Sequence, residues 1–354
     1  MKYSIHSFII LTLILSLLAN CGKKLPPTSP DRWPPKLLNV NPVDAHHLQC
    51  YFSERLDTIS PKKLENFKIL NTENGETTSI IYSQREKKGD EILLTIPKLT
   101  KEKYSLIIFN IRDAAGNLMK KAEKSFIPSL KKDTIPPLLV STKPMRFHTS
   151  APQDSIIILR FSEPIDSTHI SSNDFIATNM TIDPNFIWDR TLTKLTIGYK
   201  LSKEKLCKFF ILPFVKDLSG NPLNNMKILT LTTADILPKT KLNITVTNFK
   251  KSLIKPYAFL FYSKDTLLAD IVTIDTTAHF SFYFLPIDSF IVYTLAEDSV
   301  DTTGIMFGNK RIAFYPDTSG IMNASVNLYF TKKKNLLSQL FNIYNTITEN
   351  IKGE

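Results

Sequence analysis

The chain has 354 residues, 43% of them hydrophobic and 10% aromatic, with only 10 glycines, three cysteines and a formal net charge of +11. That length suits two to three domains, and the apolar content suffices for several cores, which excludes a disordered or low-complexity chain. The charge is uneven, residues 22–132 holding 20 Lys and Arg against 13 Asp and Glu; no interleaved basic and aromatic motif accompanies it, so nucleic acid is not the expected partner.

The chain opens with Lys2 and an apolar run, FIILTLILSLLA from Phe8 to Ala19, before Asn20 and Cys21. The run is too short for a comfortable membrane-spanning helix and has the basic start and small-residue end of a secretory signal, predicted over residues 1–20. Leu18–Cys21, LANC, resembles the lipobox of bacterial lipoproteins, although Asn20 stands where Gly, Ala or Ser is usual. The resemblance implies cleavage before Cys21 and a diacylglycerol on its thiol. An ordinary cleaved signal and an uncleaved anchor are the competing readings. Gly22 follows the cysteine, in place of the aspartate that retains lipoproteins at an inner membrane, so the expected residence is the outer membrane, on its periplasmic face or at the cell surface. The basic surplus of residues 22–132 would then lie beside an anionic lipid surface.

Residues 21–35 follow, with five prolines between Gly22 and Pro35, and read as a stiff extended tether. Three phrases then occur twice in the same order, about 100 residues apart. An acid before Pro-Pro and an apolar strand appears as DRWPPKLLNV (Asp31–Val40) and as DTIPPLLV (Asp133–Val140). YFSERLD (Tyr51–Asp57) answers RFSEPID (Arg160–Asp166), and RDAAGN (Arg112–Asn117) answers KDLSGN (Lys216–Asn221). A fixed order at a near-constant offset marks a duplicated domain, placed at 36–130 and 134–234. Within each copy, short β-branched and aromatic runs such as DEILLTI (Asp90–Ile96), SIIILRF (Ser155–Phe161) and TKLTIGY (Thr193–Tyr199) predict strands of a sandwich.

The last phrase is predicted to be a structural turn. Asp113 and Asp217 accept from backbone amides, Gly116 and Gly220 supply a positive φ, and Asn117 and Asn221 lead into a final strand. Each turn offers one carboxylate, too few for a hard cation, so no metal is expected. Glu54 and Glu163 could be acid catalysts in isolation; their duplication favours a structural role. The order Pro-Pro-strand, FSE, then DxxGN resembles the bacterial Ig-like domain of the S-layer-protein type, over Pro34–Ser129 and Pro136–Thr233. The first copy lacks the prolines found after Glu163 and Asn221. The resemblance implies stalk-like sandwich modules of exported proteins and transfers no catalytic residue.

Residues 237–331 have a different grammar, with strands such as HFSFYFL and FIVYTLAED separated by polar turns. They resemble the prealbumin-like sandwich that serves as a regulatory appendage on carboxypeptidases, with DTTAHF and LPIDSF where that family has glycine turns. Asp298 and Asp301 fall in an acidic loop that reads as a solvated turn or a calcium loop. A helix is predicted over 334–352, because Leu336, Leu337, Leu340, Phe341, Tyr344, Ile347 and Ile351 share one face. That face would dock on its own sandwich or, with Lys332–Lys334 beside it, meet a partner or membrane.

Cys50 and Cys207 sit in apolar surroundings and read as small buried hydrophobes, not a disulfide. His46 and His47, adjacent on a strand, would face opposite ways and form no natural chelate. No paired-histidine metalloprotease motif, nucleophile elbow or glycine-rich phosphate loop occurs in the sequence. The fold expectation is all-β: tandem Ig-like sandwiches, a prealbumin-like sandwich and a short C-terminal amphipathic helix. The functional expectation is a non-enzymatic, lipid-anchored envelope protein without catalytic residues or cofactors, in which residues 34–233 act as a spacer for 237–354. Its partners would be the membrane and an envelope protein or polysaccharide. The alternative is a glycan- or peptide-binding surface lipoprotein, with Trp188 and Tyr199 as an aromatic platform.

Overall fold

Alternation with period two builds most of the molecule. In TKLTIGYKL, Leu195, Ile197, Tyr199 and Leu201 point inward and the residues between them outward, the pattern of a strand with one buried face. The computed structural model describes residues 31–203, 205–332 and 337–348. Cys21, the signal over 1–20 and most of the tether lie outside the described residues. So do Leu336 and Ile351.

The first copy contains β1 (Leu37–Pro42), β2 (His47–Phe52), β3 (Phe67–Asn71), β4 (Thr77–Ser79), β5 (Tyr82–Arg85), β6 (Glu91–Thr95), β7 (Tyr104–Arg112) and β8 (Leu118–Phe126). They form two four-stranded sheets, ordered β1-β2-β6-β5 and β4-β3-β7-β8. The second copy contains β9 (Leu139–Lys143), β10 (Phe147–His148), β11 (Asp154–Phe161), β12 (Phe175–Thr178), β13 (Met180–Ile182), β14 (Ile187–Trp188), β15 (Lys194–Leu201), β16 (Leu206–Ile211) and β17 (Lys227–Thr232). Its sheets run β13-β15-β11-β9, with β14 also on β15, and β10-β17-β16-β12. Register follows the apolar pattern: Ile157 faces Ile197 and Leu159 faces Leu195 across β11 and β15, which puts four core side chains on one face.

The third sandwich comprises β18 (Lys241–Thr247), β19 (Leu253–Tyr262), β20 (Leu268–Thr273), β21 (His279–Tyr283), β22 (Asp288–Asp298), β23 (Ile305–Phe314), β24 (Ile321–Asn327) and β25 (Tyr329–Thr331). Its sheets are β21-β18-β24 and β20-β19-β22-β23-β25. The described residues are all-β apart from short 3-10 turns and one helix, α1 (Ser338–Thr348). Among the described residues no helix is long and apolar enough to cross a membrane.

The chain divides into two compact units: Met1–Pro42 with Leu48–Leu94 and Glu102–Pro128, and Val43–His47 with Thr95–Lys101 and Ser129–Glu354. The second unit therefore holds both the second and third sandwiches, and their packing explains why. In β16, Cys207, Phe209 and Ile211 enter the core of the second sandwich. The alternate Phe210, with Leu212 and Phe214 beyond it, packs against Tyr257, Phe259, Phe261, Leu295 and Phe307 of the third. Leu340, Tyr344 and Ile347 of α1 close the same cluster. Burying each such side chain contributes about 1.5–3 kcal/mol, so this shared core is an interior and not a loose domain contact. The sheets change from the second to the third sandwich between Thr232 and Lys241, where the sequence places a boundary near residue 234, while the two sandwiches share one compact unit.

The helix docks on its own unit through three of the predicted apolar positions. Phe341 is half-buried and Leu337 is exposed. The Tyr344 hydroxyl donates to the Lys255 carbonyl at 3.2 Å, and Lys255 Nζ donates to the Thr348 carbonyl at 3.1 Å, which satisfies a backbone acceptor at the helix end. Cys50 and Cys207 are free, buried thiols; burial pushes Cys207 up to about 11 and Cys50 higher still.

Candidate functional site

The three repeated phrases fold together in each copy. In the second, Gly220 has φ +87° and its amide donates to the Asp217 carbonyl. Asp217 Oδ1 accepts from the Ser219 and Asn221 amides at 2.8 and 2.9 Å, and Oδ2 from Asn221 Nδ2 at 2.8 Å. Asn221 Nδ2 also donates to the Asp133 carbonyl at 3.2 Å, in the linker before the domain. The first copy repeats the design. Asn117 donates from its amide and Nδ2 to Asp113, and from Nδ2 to the Asp31 carbonyl at 3.1 Å; Gly116 has φ +95°.

The linker acids cap their own turns, Asp31 accepting from the Trp33 amide and Asp133 from the Ile135 amide. The FSE phrase holds the next stretch of linker. Ser53 Oγ accepts from the Lys36 amide and Ser162 Oγ from the Leu138 amide, each at 2.9 Å, while Phe52 and Phe161 are buried. Each domain thus clamps its own entering strand with a Ser and an Asn.

This arrangement corrects one premise of the sequence reading. The turn aspartates are not lone carboxylates: Asp31, Glu54 and Asp113 bring oxygens within 4.8 Å of one another, and so do Asp133, Glu163 and Asp217. Oxygen-only sets of this kind are what hard cations take. Two more residues join in the second copy, since Val43–His47 belongs to the same unit. His47 Nδ1 lies 2.9 Å from Asp44 Oδ2 and 4.0 Å from Asp133 Oδ2. His46 turns elsewhere, its Nδ1 3.1 Å from the Ile96 carbonyl.

The electrostatics follow from crowding negative charge in a largely buried place. Burial, then the charges of Asp217 and Asp133, push Glu163 to about 7, with His47 opposing. Burial also raises Asp217, against the hydrogen bonds from Asn221 and Ser219. For His47, burial works against protonation, but the Asp44 hydrogen bond and the charges of Asp44, Asp133 and Glu163 outweigh it and leave its pKa raised. Burial opposes the charge on Asp44 too; hydrogen bonds from His47 and the His46 amide hold it below the ordinary value.

Other sequence candidates do not converge. Asp298 accepts from the Val300 amide and Asp301 from the Thr303 amide and hydroxyl, so each caps its own turn. Trp188 is half-buried, 6.1 Å from the Phe161 ring, and Tyr199 is buried in the same core. These two form no surface platform, which corrects that part of the alternative reading.

The second copy carries the family signal. Residues 133–248 match the bacterial Ig-like domain family. Among solved structures the chain is similar to the N-terminal part of the bacterial S-layer protein SbsC, at 16% identity over 56% of this chain and 44% of that one, with a TM-score of 0.26. It is also similar to a fragment of native alpha-2-macroglobulin from Escherichia coli spanning domains MG0-NIE-MG1, at 12% identity over 79% of this chain and 97% of that one, TM-score 0.24. A third is dimeric latent PorU from Porphyromonas gingivalis, at 9% identity over 83% and 34%, TM-score 0.30. The chain spans less than half of the SbsC fragment. None of the curated proteins compared matches the chain. The linker Asp, the FSE phrase and the DxxGN turn of the second Ig-like domain all fall within the matched residues.

Proposed function

We propose that the chain is a non-enzymatic, lipid-anchored scaffold of the bacterial cell envelope, held at Cys21 and presenting its second compact unit to an envelope protein or polysaccharide. The observation that carries this reading is the shared core. A sandwich whose outer sheet face is buried under a neighbour and a helix is a rigid body suited to display, and a Ser and Asn clamp in each Ig-like domain fixes the strand that enters it. The bacterial Ig-like match supports a structural role, and the lipobox resemblance of Leu18–Cys21 supports the anchor. In this reading the tether and first domain are the spacer, and the presented body begins near Ser129.

Two measurements test it. Labelling cells with a radioactive fatty acid should mark the wild-type chain and leave Cys21→Ser unmarked; equal labelling of both would rule out the anchor. Whole-cell crosslinking should place partner crosslinks on residues 129–348. Crosslinks confined to the first Ig-like domain, or turnover of a glycan or peptide by the purified chain, would overturn the scaffold reading.

A further inference from the structure

Beside the shared core, the second Ig-like domain and the third sandwich line an open cavity of about 380 Å³, at the small end of the usual range for ligand pockets. Its charged lining is Arg146, Lys208 and Asp270, and its aromatic lining is Phe147, Tyr283 and Phe284. Lys208 and Asp270 form an ion pair in which each side chain is only 4% exposed. Three features make this more than a packing gap.

The first is charge. Two cations face one carboxylate, which leaves one positive charge unmatched among the groups lining the cavity. The second is the ammonium itself. Lysine has three donors, and Lys208 Nζ has Asp270 as its hydrogen-bond partner among the described residues. Its remaining donors are set to receive an oxygen from within the cavity. The third is backbone strain. Phe284 has φ +63°, a conformation that a bulky residue adopts only under constraint and that clusters at ligand clamps. Its amide is held by the Thr240 carbonyl at 2.9 Å, and the ring stands edge-on to Phe147 at 5.2 Å. At the mouth, Phe147 and Tyr283 are 49% and 48% exposed, with Arg146 over the first ring and Lys241 over the second.

We infer that this cavity binds a small apolar monocarboxylate, an aryl or branched-alkyl acid. Its carboxylate meets Lys208 and Arg146, and its apolar body lies between Phe147, Tyr283 and Phe284. One unmatched positive charge balances one carboxylate, whereas a phosphate monoester would bring excess negative charge next to Asp270. The planar guanidinium of Arg146 suits a carboxylate in geometry as well as in charge.

The test is calorimetric titration of the full chain, purified in detergent, with 4-phenylbutyrate, its neutral amide and phenyl phosphate. The acid should bind at least about tenfold more tightly than the amide. Arg146→Gln should remove that preference while leaving amide binding unchanged, and Tyr283→Ala should weaken both ligands. Arg146 and Tyr283 are exposed, so the melting temperature of each variant should match wild type and separate loss of binding from loss of fold. Equal binding of acid and amide, tighter binding of phenyl phosphate, or no binding of the acid at millimolar concentration would each overturn the assignment.

Discussion

Glu163 ties the clamp to pH. Its folded pKa of about 7 exceeds the ordinary 4.5, so the folded state prefers it protonated. Its contribution to stability is complete below about pH 4.5 and is lost as pH rises through about 7. His47, also raised, acts in the same direction. Glu163→Gln should therefore leave stability unchanged near pH 4.5 and raise it at pH 8 by on the order of 1 kcal/mol, after discounting for solvent screening. Urea melts at the two pH values measure this, and a variant less stable at pH 8 would mean that the ionised carboxylate is wanted there. Gly220 poses a simpler question. A Cβ built on it meets nothing within 4 Å, so Gly220→Val should cost only the strain of a β-branched residue at positive φ, roughly 1–3 kcal/mol. No loss in a denaturant melt would show that the turn relaxes to another conformation. These turns were legible in the sequence because DxxGN names its own geometry. The gathering of three phrases was not, because residues up to 88 apart in the chain meet only once the sandwich closes.

At the level of elements, strand pattern was the readable part and the fate of outer faces the unreadable one. Alternating runs such as TKLTIGYKL announce one buried face, and the structure buries it. LCKFFILPF and YAFLFY do not alternate. Read by itself, an unbroken apolar run signals burial on both sides but does not say what covers the second side; here the cover is a neighbouring sandwich and α1. Lys208 is the exception within that run, and Asp270 answers it across the junction. A buried pair costs desolvation on both charges, so its net value is small while a single deletion leaves a charge stranded. Lys208→Met alone should cost about 3–5 kcal/mol, and Lys208→Met with Asp270→Leu should recover most of that loss. A double variant as unstable as the single one would show that the pair sets the alignment of the two sandwiches and not merely their charge balance.

For the molecule as a whole, the shared core fixes how the parts melt. If the second and third sandwiches were independent beads, damage inside one would leave the other untouched. They bury Phe210, Phe259, Phe261 and Tyr344 in one cluster, so exposing one partner strips cover from the other, and the two should unfold as one cooperative step. The chain contains two tryptophans, and Trp188 packs against the core of the second Ig-like domain. With Trp33→Phe as background, tryptophan fluorescence reports that domain alone. Phe290 lies fully buried in the separate core of the third sandwich, and Phe290→Ala should cost about 3–5 kcal/mol. In a unit of this size that lowers the melting midpoint by roughly 10 °C, and the Trp188 signal should fall by the same amount although the substitution lies in another sandwich. An unchanged Trp188 midpoint, with the third sandwich melting early by calorimetry, would mean that the two fold independently and that the second domain belongs with the spacer.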